Sequence, residues 1–185
     1  LWFIYMKKKN HSRLFLIFLF LIFLIPLSVY YLKPVLDKQI YIREKKAEFE
    51  SSLQSNDCKS AEMASVYLKN EGHEISSKQK IFLADCYRSQ AKIKIDRAIE
   101  LFNSNSDPSV QVELVNLIAS SIEFAKKASE IDSLNPENLA LRGFIYAQIK
   151  ESVRDARKSA VDMYKKALEL DPENKGYKTE LDKLQ

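Results

Sequence analysis

Two stretches near the C-terminal end of the chain share one pattern, and this pattern constrains the fold more than any other feature of the sequence. Residues 125–138 read AKKASEIDSLNPEN and residues 164–174 read YKKALELDPEN. In both, a Lys-Lys-Ala segment leads to an acidic residue, an aliphatic residue, an Asp and then a proline. The shared segments begin at Lys126 and Lys165, 39 residues apart. Self-similarity at this spacing predicts helical units that repeat and stack side by side.

Proline follows Asp or Asn directly at three places. These are Asp107-Pro108, Asn135-Pro136 and Asp171-Pro172. An Asp or Asn side chain accepts hydrogen bonds from the unpaired N–H groups at a helix start, and proline suits the first helical position because it lacks that donor. We therefore expect three helices to begin at these prolines.

Apolar periodicity predicts helices throughout the rest of the chain. Their predicted ranges are about 37–55, 59–71, 78–103, 108–132, 136–150, 152–170 and 174–184. Only three Gly and five Pro residues are present, which leaves little material for hairpin turns between strands. The sequence therefore predicts an all-α fold.

The segment 134–172 resembles the tetratricopeptide repeat, a helix-turn-helix unit of 34 residues. Its positions that match the family pattern are Leu139, Gly143 and Tyr146 on the first helix and Ala160, Tyr164, Ala167 and the closing Pro172 on the second. The matching segment includes about five extra residues near the turn between its two helices. The match is weaker upstream, where the segment IFLADCYRSQ is similar to the first-helix pattern of the repeat. The resemblance implies an irregular α-solenoid of antiparallel helix hairpins, in which residues 174–184 form a capping helix.

The same resemblance implies a concave groove that holds an extended peptide or a helix of a partner protein. The residues it places in that groove are Glu137, Ala140, Phe144, Ala147 and Gln148 in the best repeat, and Ile81, Asp85 and Arg88 in the weaker one. Repeats that clamp a terminal carboxylate carry Lys and Asn where this chain has Ala140 and Phe144. An apolar contact is therefore expected instead, and Phe144 as a core residue is an equal alternative.

Residues 14–32 form an uncharged, strongly apolar run of 19 residues. At about 1.5 Å per residue, such a helix crosses most of a hydrocarbon core of roughly 30 Å. The sequence PLSVYYLKP that follows offers no small-x-small cleavage site. We expect an uncleaved transmembrane helix, with a cytoplasmic tail at 1–13, a helical linker at 33–57 and a helical domain at 58–185. Residues 1–5 precede Met6 and are interpreted as lying upstream of the natural start.

The distribution of charge bears on sidedness and on partners. The chain has 29 basic and 25 acidic residues, and the excess is accounted for by Lys7, Lys8, Lys9 and Arg13 ahead of the apolar run. A compact Lys cluster usually stays in the cytoplasm, so we expect the helical domain on the extracytoplasmic, periplasmic side. The remainder is neutral, which argues against nucleic acid as a partner.

No pattern of catalytic or cofactor chemistry is visible. His73 is the only histidine after the apolar run, and the sequence shows no Gly-rich phosphate loop and no metal-ligand spacing. Cys58 and Cys86, 28 residues apart, are interpreted as two buried unpaired side chains, with a disulfide between neighbouring helices as the alternative. We expect no enzymatic activity, no cofactor and no metal.

The sequence thus predicts a membrane-tethered scaffold or adaptor that binds other proteins or peptides in a cell-envelope assembly, with self-association as a further possibility. Three alternatives stay open. The helices could close into a plain antiparallel bundle, because periodicity does not distinguish a bundle from a stack. The domain could be a secreted binding protein released by signal cleavage, or an enzyme whose site has no recognisable motif.

Overall fold

The computed structural model describes the backbone of residues 2–104 and 108–185, and the side chains of residues 20, 22, 24, 29–103 and 110–185. Its helices are α1 (Trp2–Gln54), α2 (Cys58–Asn70), α3 (Ser77–Ser104), α4 (Pro108–Ile131), α5 (Pro136–Gln148), α6 (Ala156–Leu170) and α7 (Lys175–Asp182). No strand occurs in the described backbone. The predicted all-α class is confirmed.

The chain divides into two compact units, residues 1–47 and residues 48–185. The first unit consists of most of α1, a helix that runs without interruption across the predicted boundary between residues 32 and 33. Among the residues whose placement is described, no helix meets the length and hydropathy needed to cross a membrane. Most side chains of the predicted span 14–32 lie outside the described residues, so that span stays a prediction.

In the second unit, helices pack mainly against their neighbours in the chain. The most extensive packing joins α3 to α4 and α5 to α6. Helix α3 also contacts α5 directly, although α4 lies between them in the sequence. The core is divided into three clusters that follow one another along the chain. They centre on Phe49 and Tyr87, on Ile95, Ala125 and Ile145, and on Ala160 and Tyr164.

Two of the three predicted Asp/Asn-Pro helix starts are found in the structure. Helices α4 and α5 begin at Pro108 and Pro136, and the Asn135 side chain accepts a hydrogen bond from the Glu137 N–H at 3.0 Å. The start of α5 agrees with the preference for a polar N-cap followed by proline, whereas Asp107 before α4 lies outside the described residues.

The third predicted start, at Pro172, is wrong. The N–H of Asp171 still bonds to the carbonyl of Ala167, so Asp171 closes α6 instead of opening α7. Helix α7 begins three residues beyond Pro172, at Lys175, where the Asn174 side chain accepts from the Tyr177 N–H at 3.2 Å.

Helix α6 also begins later than the predicted position 152. Residues 149–155 form the connection from α5, and Asp155 adopts a left-handed conformation with φ of 63°. An aspartate tolerates this region better than most residues, although it still costs free energy. The extra residues identified in the sequence are therefore used in this longer connection.

A close approach between α5 and α6 explains the small residues of the best repeat. A Cβ atom added at Gly143 would lie 3.0 Å from the ring of Tyr164, a contact that requires the ring to move. Ala160, Tyr164 and Ala167 are almost completely buried, whereas Leu139 and Tyr146 are partly buried and Pro172 is exposed. The glycine and the alanines thus leave room for the tyrosine between the two helices.

We predict that Ala160→Leu destabilises the folded chain, because the alanine side chain is fully buried and three added carbon atoms have no space. Overpacking of this kind costs about 1–3 kcal/mol of unfolding free energy. Urea unfolding followed by circular dichroism measures the change. The matched control is Lys158→Leu on the exposed side of the same helix, which should change stability by less than about 0.5 kcal/mol. Equal effects of the two substitutions would contradict the packing described above.

Candidate functional site

Two open concavities of the second unit adjoin each other, and together we call them the α3–α5–α7 groove. Its first cavity, of about 560 Å³, lies between α3 and α5, and its second, of about 530 Å³, lies between α5 and α7. Leu141 and Phe144 of α5 line both cavities. The two apolar side chains therefore form a shared floor midway along the groove.

Charged side chains from α3 and α5 border the first cavity. The guanidinium of Arg88 lies 2.8 Å from a carboxylate oxygen of Asp85 and 3.0 Å from one of Glu137. Arg88 thus links α3 to α5 while its charge is balanced within the groove wall. Lys92 and Asp96 line the same cavity one and two turns further along α3 and make no ion pair with the described residues.

Two tyrosines with raised pKa values line the second cavity. Burial, together with the nearby charge of Glu180, raises the pKa of Tyr164 to about 12. Burial and the charges of Glu137 and Asp171 also raise the pKa of Tyr177. Both side chains line the second cavity beside Lys175 and stay protonated at neutral pH. Their hydroxyl groups are available to donate to or accept from a polar group in the groove.

Five of the eight residues expected in the groove line its cavities. Asp85, Arg88 and Glu137 border the first cavity, Ala140 borders the second, and Phe144 borders both. Phe144 is also partly buried against two core clusters, so its core and groove interpretations both apply.

The other three expected residues are not among the lining of either cavity. Ile81 is 45% exposed on the first turns of α3, one turn before Asp85. Ala147 packs into the cluster around Tyr164, and Gln148 is exposed at the end of α5. Both follow Phe144 by about one helical turn, where α5 is ending.

Several lining residues were not anticipated from the sequence. They are Ser89, Lys92 and Asp96 of α3, Leu141 of α5, Tyr164 of α6, and Lys175, Gly176, Tyr177, Thr179 and Glu180 at the start of α7. The helical spacing of Asp85, Arg88, Lys92 and Asp96 places them on one face of α3 and was the available signal. The α7 residues were expected only to cover the last apolar edge.

The back of α3 is tied to two other helices by a polar cluster. The hydroxyl of Tyr87 donates to Glu62 of α2 at 2.7 Å, and the ammonium of Lys127 on α4 donates to the same carboxylate oxygen. The ammonium also lies 5.1 Å from the centre of the Tyr87 ring. Burial opposes ionisation of Glu62, but the hydrogen bonds from Lys127 and Tyr87 outweigh it and lower the pKa of this carboxyl. This cluster holds α3 from the side opposite the groove.

Cys58 and Cys86 form a disulfide between α2 and α3, with Cα atoms 5.7 Å apart. The interpretation of the two cysteines as unpaired buried side chains is therefore wrong, and the alternative of a bridge is confirmed. The start of α2 and the third turn of α3 lie close enough for the bond to form, which the sequence alone could not establish. Cys86 directly precedes Tyr87, so covalent and polar anchors of α3 lie within one turn.

Within the described residues, no group of three or more His, Cys, Asp or Glu side chains is arranged to hold a metal ion. The two cavities are lined by apolar surface, by paired and unpaired charges and by tyrosine side chains. No known family model matches this chain, and a search of curated proteins finds no matching sequence.

We predict that stability falls above pH 10 because of the buried tyrosines. In the folded state the pKa of Tyr164 is about 12, against about 10 when the chain is unfolded. Below pH 10 the hydroxyl is protonated in both states, and between pH 10 and 12 only the unfolded state loses the proton. The unfolding free energy should then fall by about 1.4 kcal/mol per pH unit for this one group. Tyr164→Phe, measured by urea unfolding from pH 9 to 11, should make the slope shallower; an unchanged slope would show that Tyr164 does not cause it.

Proposed function

We propose that this protein is a membrane-tethered scaffold or adaptor whose tetratricopeptide-like solenoid binds a segment of another protein in the α3–α5–α7 groove. The observation that supports it most strongly is that two adjoining cavities share the apolar floor of Leu141 and Phe144. A groove with an apolar centre and polar borders suits an extended peptide or an amphipathic helix.

The packing of the second unit favours a solenoid over a closed bundle. Alternate helices α3 and α5 contact each other, and the core is divided into successive clusters. In a stack, each hairpin buries its apolar side against the next hairpin, and the first helices of successive hairpins line one surface. The close contact of Gly143 with Tyr164 occurs within the hairpin that resembles the tetratricopeptide repeat.

The electrostatics of the groove favour a partner held by shape and apolar contact. Arg88 already has two carboxylate neighbours within 3.0 Å, so its charge is paired within the chain and does not require an anionic ligand. The floor residues Leu141 and Phe144 and the neighbouring Ala140 carry no charge. An apolar side chain of the partner, seated on Phe144, would therefore supply most of the affinity.

Two features support a tether and an extracytoplasmic location. The described side chains between residues 20 and 36 include many large, exposed apolar residues, which lipid would cover. These are Phe20, Ile22, Leu24, Val29, Tyr30, Tyr31, Leu32, Val35 and Leu36. Disulfides persist mainly in oxidising compartments, and the bridge between Cys58 and Cys86 agrees with a domain outside the cytoplasm.

We predict that a photoreactive amino acid placed in the groove crosslinks a partner protein, whereas one placed elsewhere does not. Ser89 and Thr179 are exposed and lie in the first and second cavities, so substitution there leaves the core intact. Lys158, exposed on α6, is the matched control position. The crosslinked peptide is identified by mass spectrometry, and its affinity for the full chain is then measured with a synthetic copy.

Phe144→Ala should weaken the binding of that peptide by about thirtyfold or more, as for an aromatic residue at the centre of an interface. Phe124→Ala is the control, because Phe124 is also partly buried but packs between two core clusters away from the groove lining. Both variants are compared at a temperature where both are folded. Equal loss of binding in the two would indicate a stability effect, and crosslinks of equal yield at all three positions would contradict the groove.

We predict that the natural full-length chain remains in the membrane pellet after alkaline carbonate extraction. A variant that lacks residues 14–32 should move to the supernatant, which tests whether the apolar run is responsible. A wild-type chain that appears in the supernatant with reduced mass would instead support the secreted binding protein released by signal cleavage.

A further inference from the structure

The α3–α4 hairpin is longer than its neighbour. Helices α3 and α4 contain 28 and 24 residues, whereas α5 and α6 contain 13 and 15. At about 1.5 Å per residue, α4 exceeds α5 by roughly 16 Å. Because α5 starts close to the C-terminal end of α4, it cannot cover the N-terminal half of α4. Leu114, Leu117 and Ile118 of that half pack against the second core cluster, but the apolar residues on its other face need another explanation.

The outward side of this uncovered half is apolar and accessible. Val112, Val115, Asn116 and Ala119 follow the spacing i, i+3, i+4 and i+7, which places them on one face of α4. All four are exposed, Val112 by 67% and Val115 by 63%. We call these four residues the α4 strip. Its small side chains allow another helix to approach closely.

A third cavity, of about 400 Å³, lies beside the α4 strip. Its lining combines Val112, Asn116 and Leu117 of α4 with one cation, Lys94 of α3, and one anion, Glu113 of α4. Neither Lys94 nor Glu113 makes an ion pair or a hydrogen bond with another described residue. A second copy of this surface, related by a twofold rotation, could therefore place its Glu113 against Lys94 and its Lys94 against Glu113.

We propose that the α4 strip is a homodimer interface in which Lys94 of one copy pairs with Glu113 of the other, twice, around an apolar centre of Val112 and Val115. A twofold axis makes the same patch contact itself, so each favourable pair occurs in duplicate. The patch is short compared with the roughly 800 Å² per partner of a stable interface, and the dimer is correspondingly weak.

The charges distinguish this occupant from a lipid surface. Peripheral membrane helices combine an apolar side with an excess of Lys and Arg. The corresponding part of the hairpin carries both signs: Lys94 and Arg97 are basic, whereas Asp96, Glu100 and Glu113 are acidic. Arg97 and Glu100 already pair with each other at 3.4 Å. Binding to an anionic membrane is therefore disfavoured, and a surface with balanced charge is the better match.

The test uses reciprocal charge substitutions in the complete chain, purified in a mild detergent. Lys94→Glu creates two like-charged pairs in its own homodimer, and Glu113→Lys does the same with the opposite sign. Each variant alone should dimerise at least tenfold more weakly than the wild type. Mixed together, the two variants should dimerise as well as the wild type, because every pair in the mixed dimer again joins opposite charges. Analytical ultracentrifugation over a range of concentrations measures the three dissociation constants.

The control is Lys158→Glu on α6, which should leave dimerisation unchanged. Thermal unfolding of each variant verifies that the fold is intact. A wild-type chain that stays monomeric at all concentrations would overturn the proposal, and so would variants that dimerise as strongly as the wild type, which would indicate contact through another surface. The proposal would also be overturned if the mixed variants dimerised as weakly as each variant alone. None of these results bears on whether a peptide occupies the α3–α5–α7 groove.

Discussion

The carboxylate of Glu62 is the point on which the position of α3 depends. It accepts hydrogen bonds from Tyr87 and Lys127 and so joins α2, α3 and α4 at a single oxygen atom. A partly buried carboxylate needs such partners, because Lys127 compensates its charge and the Tyr87 hydroxyl provides a further hydrogen bond. The next residue after Tyr87, Arg88, faces the groove, and the preceding one, Cys86, is bonded to α2. One turn of α3 thus carries the contacts that hold the helix on one side and the side chain that lines the groove on the other.

Helix α5 is constrained on two sides. Towards α6 it carries Gly143, which allows the ring of Tyr164 to lie against its backbone. Its neighbour Phe144 lies at the junction of the second and third core clusters and still lines both cavities. An apolar groove floor is a consequence of this arrangement, since a residue that must fill part of the core cannot also be charged. The same side chain therefore contributes to stability and to the surface available for binding.

Most helices could be predicted from the sequence because their signals are local. Asn135 and Pro136 mark the start of α5 through hydrogen bonding and backbone geometry within a few residues. The apolar periodicity placed the last helix at 174–184, close to the observed start at Lys175. The proline signal at Pro172 was misleading because Asp171 closes α6 instead of opening a new helix.

The lining of the groove could be predicted only in part, because part of it depends on how helices that are distant in the sequence pack together. The resemblance to the tetratricopeptide repeat implied Asp85, Arg88, Glu137, Ala140 and Phe144 as lining residues, but the contribution of α7 depends on how the last helix packs. The disulfide likewise depends on a distance between two helices that no spacing encodes. In an oxidising compartment this bond has a consequence for the order of assembly. Both sulfur atoms belong to the first half of the chain, so the bond can close while the later helices are still being synthesised. The pair of helices α2 and α3 would then be covalently joined before the later helices pack against it.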